Sequence, residues 1–308
     1  MQEQNVPTPG QNFSDADYPA LFLSADEAAK RGQSRHIILT RLEVTFIVCA
    51  AALGALISIL TFTGSSVGST RIAAVSSGSL LIGAALVRSV ARATAPTGKW
   101  FAGRAVAEST KSLAWLYMMH VEPFDGPTPQ ADGNFVDALR GVLGESIGVM
   151  QPVRGREGVE LEQITSPMRA LRHLPFHQRR ATYERLRLND QLAWYNSRSA
   201  TLRRGNDRAF AAGIAFEVLA LGSAMALIAL PTGPNLIGVF AVATATATTL
   251  SRLRGDAEVA DRYALAAQEL SMIRGRSQVA GERAFPDSVK DAEGAISREH
   301  KMWAARRN

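Results

Sequence analysis

Four groups of residues have the types and spacings that chemistry or transport would need. The first is a carboxylate in apolar surroundings. Glu217 lies in the run Ala209 to Leu230, which holds no other ionisable residue. A charge near the centre of a bilayer costs on the order of 3 kcal/mol or more, so an ionisable group within a span is a functional candidate. With the α-helical rise, Glu217 falls about 12 Å beyond Ala209. At that depth it can line a polar pathway or pair with a cation. If the span starts later, it instead sits at headgroup level beside Arg252 or Arg254 of an antiparallel neighbour. Glu43 precedes the run Val44 to Thr63 and is read as interfacial, with Arg88 placed to neutralise it.

The second group is hydroxylic. Thr244, Thr248 and Ser251 recur at spacings of four and three, and Ser76, Ser79 and Gly83 at three and four, so each set shares one helix face. Hydroxyls can line a water-filled lumen, while small residues also allow helices to pack closely in lipid. The third group is the basic stretch Arg179 to Arg204, with Arg179, Arg180 and Arg187 beside Trp194 and Tyr195. Cations next to aromatic faces suit a nucleotide or a lipid headgroup. The plainer reading is positive-inside charge, contact with acidic lipid and aromatic residues in the core of a cytoplasmic bundle. The fourth group, the histidines, leads nowhere: His173 and His177 are four apart, but Pro175 between them prevents a shared helical face. With no phosphate-cradling loop, nucleophile elbow or carboxylate pair in the sequence, no catalytic residue, metal or cofactor is expected, and the reading is not that of an enzyme.

The elements that must position these groups are helices. Val44 to Thr63 is an uncharged run of about twenty residues, matching a hydrocarbon core of roughly 30 Å. A Gly- and Ser-rich turn leads to a second run, Ile72 to Val87. The second pair, Ala209 to Leu230 and Asn235 to Leu250, is joined by Pro231-Thr232-Gly233-Pro234. Both pairs read as hairpins. Basic residues crowd their open ends (Arg35, Arg41, Arg88, Arg92, Arg203, Arg204, Arg208), and the tight turns hold only Arg71. That asymmetry predicts both termini in the cytoplasm. The net charge of +6 suits an anionic partner without choosing one, and Cys49, the only cysteine, excludes an intramolecular disulfide. The N-terminal stretch has no signal-peptide pattern, so the first span is expected to act as the insertion signal.

The expected fold is therefore all-α: an integral membrane protein with two transmembrane hairpins and cytoplasmic helical extensions. A polar tail (1–25) precedes a first unit (26–121), a linker (122–174) and a second unit (175–308). Trp100 to Met119, Arg179 to Arg204, Gly255 to Arg274 and Ser288 to Arg307 carry helical periodicity. Ser288 with Asp291 suggests a capping box, and the linker should hold at most one short helix near Phe135 to Leu143. Leu42-Glu43-Val44 and Phe216-Glu217-Val218 form a weak internal repeat, with Glu108 and Glu269 in the helices that follow each hairpin.

The segment Lys99 to Lys111 (KWFAGRAVAESTK), followed by Glu122-Pro123-Phe124, resembles one subtype of the SLATT domains, the two-transmembrane effectors associated with SMODS nucleotidyltransferases and SLOG sensors, also described as DUF4231-like. Arg179 to Ala200 together with Val289 to Arg307 resembles a second subtype. The resemblance implies a bacterial anti-phage effector that oligomerises in the inner membrane and permeabilises it on a cyclic nucleotide signal or a cue from a partner sensor. Membrane lipid and further copies of the chain are the implied partners, and no nucleic acid is expected. The alternative is a membrane-anchored scaffold that recruits a partner through its basic cytoplasmic helices without conducting.

Overall fold

A computed structural model describes residues 13–146, 162–231, 233–254 and 256–305. Among them there is no strand. The helices are α1 (Ala20–Phe62), α2 (Val67–Thr94), α3 (Pro96–Met118), α4 (Thr128–Ser146), α5 (Ser166–Arg172), α6 (Phe176–Tyr183), α7 (Asn189–Ala229), α8 (Ile237–Arg254), α9 (Asp256–Val279) and α10 (Phe285–Ala305).

Local chemistry sets the boundaries. Gly64 takes φ 69°, a conformation that costs glycine little, and ends the first helix. Ser66 caps α2 by accepting from the Ser69 amide, and Ala95 closes it in the left-handed region at φ 40°. Pro96 then opens α3, where its missing N–H costs no hydrogen bond. Pro175 similarly begins α6 after His173 has ended α5, so the two histidines belong to different helices. A single π-helical turn, Glu184–Leu188, joins α6 to α7 without interrupting the helix. The basic stretch and the third apolar run are thus parts of one helical rod.

The helices divide into two compact units. Unit 1 comprises Met1–Gln33, Thr97–Arg198 and Arg262–Asn308; unit 2 comprises Ser34–Pro96 and Ser199–Asp261. Each draws on both halves of the sequence, and α1 contributes to both. Unit 1 has a core of large side chains, with Trp115, Tyr117, Phe135, Tyr183 and Tyr195 all fully buried. Unit 2 holds the two hairpins. Among the described residues its buried side chains include Ala50, Ala73, Ala84 and Ala260, while Ile72, Val75, Ile82, Phe210, Leu221 and Ile228 are each more than 60% exposed. Apolar surface on that scale marks a unit that faces a membrane or further protein.

Three helical stretches among the described residues are long and apolar enough to cross a membrane: Ala20–Phe62, Val67–Met118 and Phe176–Ala229. The apolar part of α8, Ile237–Thr248, is shorter.

Two expectations need correction. The stretch after Glu122 holds more than one short helix: α4 runs for 19 residues and buries Ala131, Phe135 and Leu139, and α5 follows it. Its Pro and Gly residues concealed an apolar face at helical spacing. The last helix starts at Phe285, not Ser288, because Pro286 is tolerated in a first turn. Ser288 is 5% exposed, inside the helix, and forms no capping box.

Candidate functional site

In unit 2 two contacts fix how the hairpins align. Arg88 Nε donates to Glu43 Oε1 at 2.7 Å, tying the open ends of α1 and α2. The Asn235 amide donates to Ser58 Oγ at 2.7 Å, bringing the α7–α8 turn to the end where α1 finishes. Both tight turns therefore lie at one end of the unit and both sets of basic residues at the other.

The two carboxylates of the weak repeat have different environments. Glu43 is engaged by Arg88, the ion pair the antiparallel geometry demands. Glu217 is exposed, on a helix surface shared with Ile214, Val218 and Leu221, which are 47%, 62% and 64% exposed. No described side chain pairs with it. The side chains of Arg252, Arg254 and Ser251 lie outside the described residues.

The hydroxyl stripes are only partly turned to neighbouring helices: Thr244, Thr248 and Ser76 are half-buried and Ser79 is exposed. Thr244 Oγ1 donates to the Gly213 carbonyl at 3.5 Å, and Thr248 Oγ1 donates to the Thr244 carbonyl at 2.9 Å. A Cβ placed on Gly213 would lie 3.6 Å from the Thr248 methyl, so this glycine lets α7 and α8 come close. In the first hairpin Ser77, which spacing alone did not single out, makes the interhelical bond, donating to the Ala50 carbonyl at 3.0 Å. Ser76 is half-buried, Ser79 donates to the Val75 carbonyl within its own helix, and Gly83 packs beneath the Phe46 ring.

Within the basic stretch, Arg187 turns into the core of unit 1, while Arg185 and Arg198 are exposed. Arg187 is completely buried and forms a forked ion pair with Glu293, through Nε to Oε1 at 3.0 Å and Nη2 to Oε2 at 2.7 Å. Nη2 also reaches Ser112 Oγ at 3.3 Å, and Nη1 lies 4.0 Å from Glu108 Oε2. Tyr183 donates to Glu293 Oε1 at 3.0 Å and packs edge-on against Trp115, whose indole N–H donates to Tyr18 at 2.8 Å. Burial opposes the Arg187 charge, but the adjacent Glu293 carboxylate outweighs it and raises the guanidinium pKa. Burial pushes the Tyr183 hydroxyl well up, keeping it a neutral donor. The π-helical turn is what sequence periodicity missed. Its extra residue per turn lets Tyr183, Arg187 and Leu188 all reach the core.

The other basic candidates are also engaged. Arg179 donates to the Arg172 carbonyl at 3.4 Å, and Arg180 donates to the Ala280 carbonyl at 3.2 Å. Trp194 packs edge-on against Tyr195 and Tyr263, with the Arg104 guanidinium 5.5 Å from its ring centre. Arg172, which the sequence did not single out, is 2% exposed. It donates to the carbonyls of Tyr117, Phe124 (2.7 Å) and Gly126 (3.0 Å) and lies 4.7 Å from the centre of the Tyr117 ring. It fastens the turn between α3 and α4 from within. Nearby, burial pushes the pKa of His120 down to about 4, although its bond to the Arg172 carbonyl acts the other way.

Comparison with protein families accounts for this architecture. Residues 19–180 match the SMODS and SLOG-associating 2TM effector domain 3, and residues 183–303 match the SMODS and SLOG-associating 2TM effector domain 1. The chain is a tandem SLATT-domain protein. No curated protein and no solved structure matches it. SLATT domains are two-transmembrane effector domains, so the apolar surface of unit 2 belongs to a membrane protein. The Arg187–Glu293 fork, both partners from the second SLATT domain, is met by Ser112, Glu108 and Trp115 from the first. The two SLATT domains thus share one core.

Proposed function

We propose that this tandem SLATT protein is a non-enzymatic, membrane-permeabilising effector of a bacterial anti-phage system, assembled from several copies in the inner membrane. In this reading four spans cross the bilayer, and both termini and unit 1 lie in the cytoplasm. A nucleotide signal or a partner sensor shifts a resting assembly to a conducting one. Such a shift requires the trigger to bind the two states with different affinity.

The observation that carries the reading is Glu217. A carboxylate on the outward surface of an apolar span is costly against lipid, and a second copy covering that surface would place it at an aqueous seam. Conduction then needs rotation or separation of α7 and α8, between which Thr244 and Thr248 now lie half-buried. The scaffold alternative draws less support, because Arg179, Arg180 and Arg187 bond within the chain and are not offered to a partner.

The test is membrane potential, read with a voltage-sensitive dye in cells expressing the full chain. Wild-type protein should depolarise the cells once its trigger is present. Glu217→Ala should abolish the effect at equal membrane abundance, and Trp194→Ala should not. Depolarisation unchanged by Glu217→Ala would remove this residue from the pathway, and an intact potential in triggered cells would favour the scaffold.

A further inference from the structure

Unit 2 carries a one-sided basic collar. At the end defined by the Glu43–Arg88 pair, Arg35 and Arg41 on α1, Arg92 on α2, and Arg204 and Arg208 on α7 are all exposed. No described carboxylate pairs with any of these five. Two other arginines at this end are already occupied: Arg88 by Glu43, and Arg203 by Asp261 at 2.7 Å. Asp207 is an exposed acid in the same region, so the collar is not uniformly basic. The opposite end, located by the Asn235–Ser58 bond, has Arg71 alone.

Large apolar side chains are interleaved with these cations. Ile38 and Leu42 are 56% and 42% exposed on α1, Val90 is 50% exposed on α2, and Phe210 is 69% exposed on α7. Arg35, Ile38, Arg41 and Leu42 follow spacings of three, three and one, and so lie on one face of α1. Guanidinium groups next to apolar side chains, where an apolar span begins, match the boundary between phosphate headgroups and acyl chains.

We propose that this collar is a docking surface for anionic phospholipid. The five guanidiniums engage headgroup phosphate and net negative charge, and Ile38, Leu42, Val90 and Phe210 rest against the first acyl carbons. Planar guanidinium groups favour phosphate because two N–H donors can meet two of its oxygens. Lipid specificity is thereby assigned to unit 2, and to arginines other than Arg179, Arg180 and Arg187, which bond inside unit 1. The proposal rests on insertion of unit 2 in a membrane and not on conduction, so it can fail while permeabilisation stands, and the reverse.

The experiment follows thermal unfolding of the purified full-length protein in a zwitterionic detergent. Short-chain phosphatidylglycerol, short-chain phosphatidylcholine and inorganic phosphate are titrated separately. Phosphatidylglycerol should raise the melting temperature by several degrees more than phosphatidylcholine, because a ligand of the folded state stabilises it by mass action. Phosphate should do almost nothing. The increment should shrink in 1 M salt, where the screening length falls to about 3 Å. It should be lost in Arg35→Gln/Arg41→Gln/Arg204→Gln/Arg208→Gln and reduced but not lost when the same four positions are changed to Lys, which keeps the charge without the planar pair of donors. Equal responses to the two lipids, or an increment that persists in high salt, overturn the proposal from the wild-type protein alone, even if the glutamine variant does not fold. An increment given equally by inorganic phosphate overturns it in favour of a free-anion site.

Discussion

In unit 1, Trp115, Tyr117, Phe135 and Tyr183 are wholly enclosed, whereas in unit 2 alanines occupy the interior and residues of the size of Ile72, Phe210 and Ile228 face outward. The same contrast holds for charge. Unit 1 encloses Arg187 with Glu293 and wraps Arg172 in three carbonyls, while among the described residues of unit 2 the ion pairs Glu43–Arg88 and Arg203–Asp261 form at its basic end. The difference is the one that the proposed placement of unit 2 in lipid and unit 1 in water requires. In water, stability comes from removing large apolar groups from the solvent. In lipid the tails are as apolar as leucine, so close approach of small residues and interhelical hydrogen bonds must hold the helices together. Ser77 to Ala50 and Thr244 to Gly213 are bonds of that kind.

The largest effect should come from breaking the charge buried in unit 1. Glu293→Ala strands the Arg187 guanidinium and should cost about 3–5 kcal/mol. Limited proteolysis of membrane preparations should then cut unit 1 readily while the spans stay protected; equal loss of both units would break the comparison. Next, Gly103→Ala introduces a Cβ about 2.9 Å from the Ala25 carbonyl oxygen and the Ala29 amide nitrogen, which are backbone atoms that cannot step aside. It should destabilise unit 1 by about 1–3 kcal/mol, although alanine is the better helix former by about 1 kcal/mol. A neutral or positive change in melting temperature would show that α1 and α3 do not pack as described.

His120 gives a smaller, pH-dependent effect. Its folded pKa of about 4 lies below the ordinary 6.5, so the unfolded chain binds a proton more readily. The associated stability is fully present above pH 6.5 and is lost as the pH falls from there toward 4. His120→Asn, chosen because asparagine tolerates the positive φ of 58° at this position, should flatten the melting temperature across that window. An unchanged slope would assign the acid sensitivity to another group. Smallest of all, Ile72→Ala and Ile228→Ala in unit 2 should shift stability by less than about 0.5 kcal/mol in a bilayer, because lipid replaces the lost contacts. Losses of 2–5 kcal/mol, as for a truncated core residue, would mean these faces pack against protein.

Much of unit 2 could be read in the sequence, because its rule is one-dimensional. A run without charges, a tight turn and basic residues at the open ends mark a hairpin wherever they occur, and the Glu43–Arg88 pair follows from antiparallel geometry. Unit 1 was less legible. The α4 helix was hidden by Pro127, Pro129 and several glycines, since its apolar face serves a core assembled from distant segments. Arg187 read as one of many surface cations, because nothing in its neighbourhood announces that Glu293, more than a hundred residues later, will reach it.

By itself, then, the sequence determined the all-helical class, the paired apolar runs, the tandem SLATT character and the end of each hairpin that carries positive charge. These are local properties, set by helix propensity, by transfer free energy over about twenty residues and by charge counting. Only the tertiary structure decided which arginines are used internally and which remain for a ligand, that Glu217 faces outward while Glu43 is neutralised, and that the two SLATT domains share one core. Those outcomes depend on which side chains meet across long stretches of chain, where burial makes an ion pair strong and its absence costly, and no spacing within one helix records them.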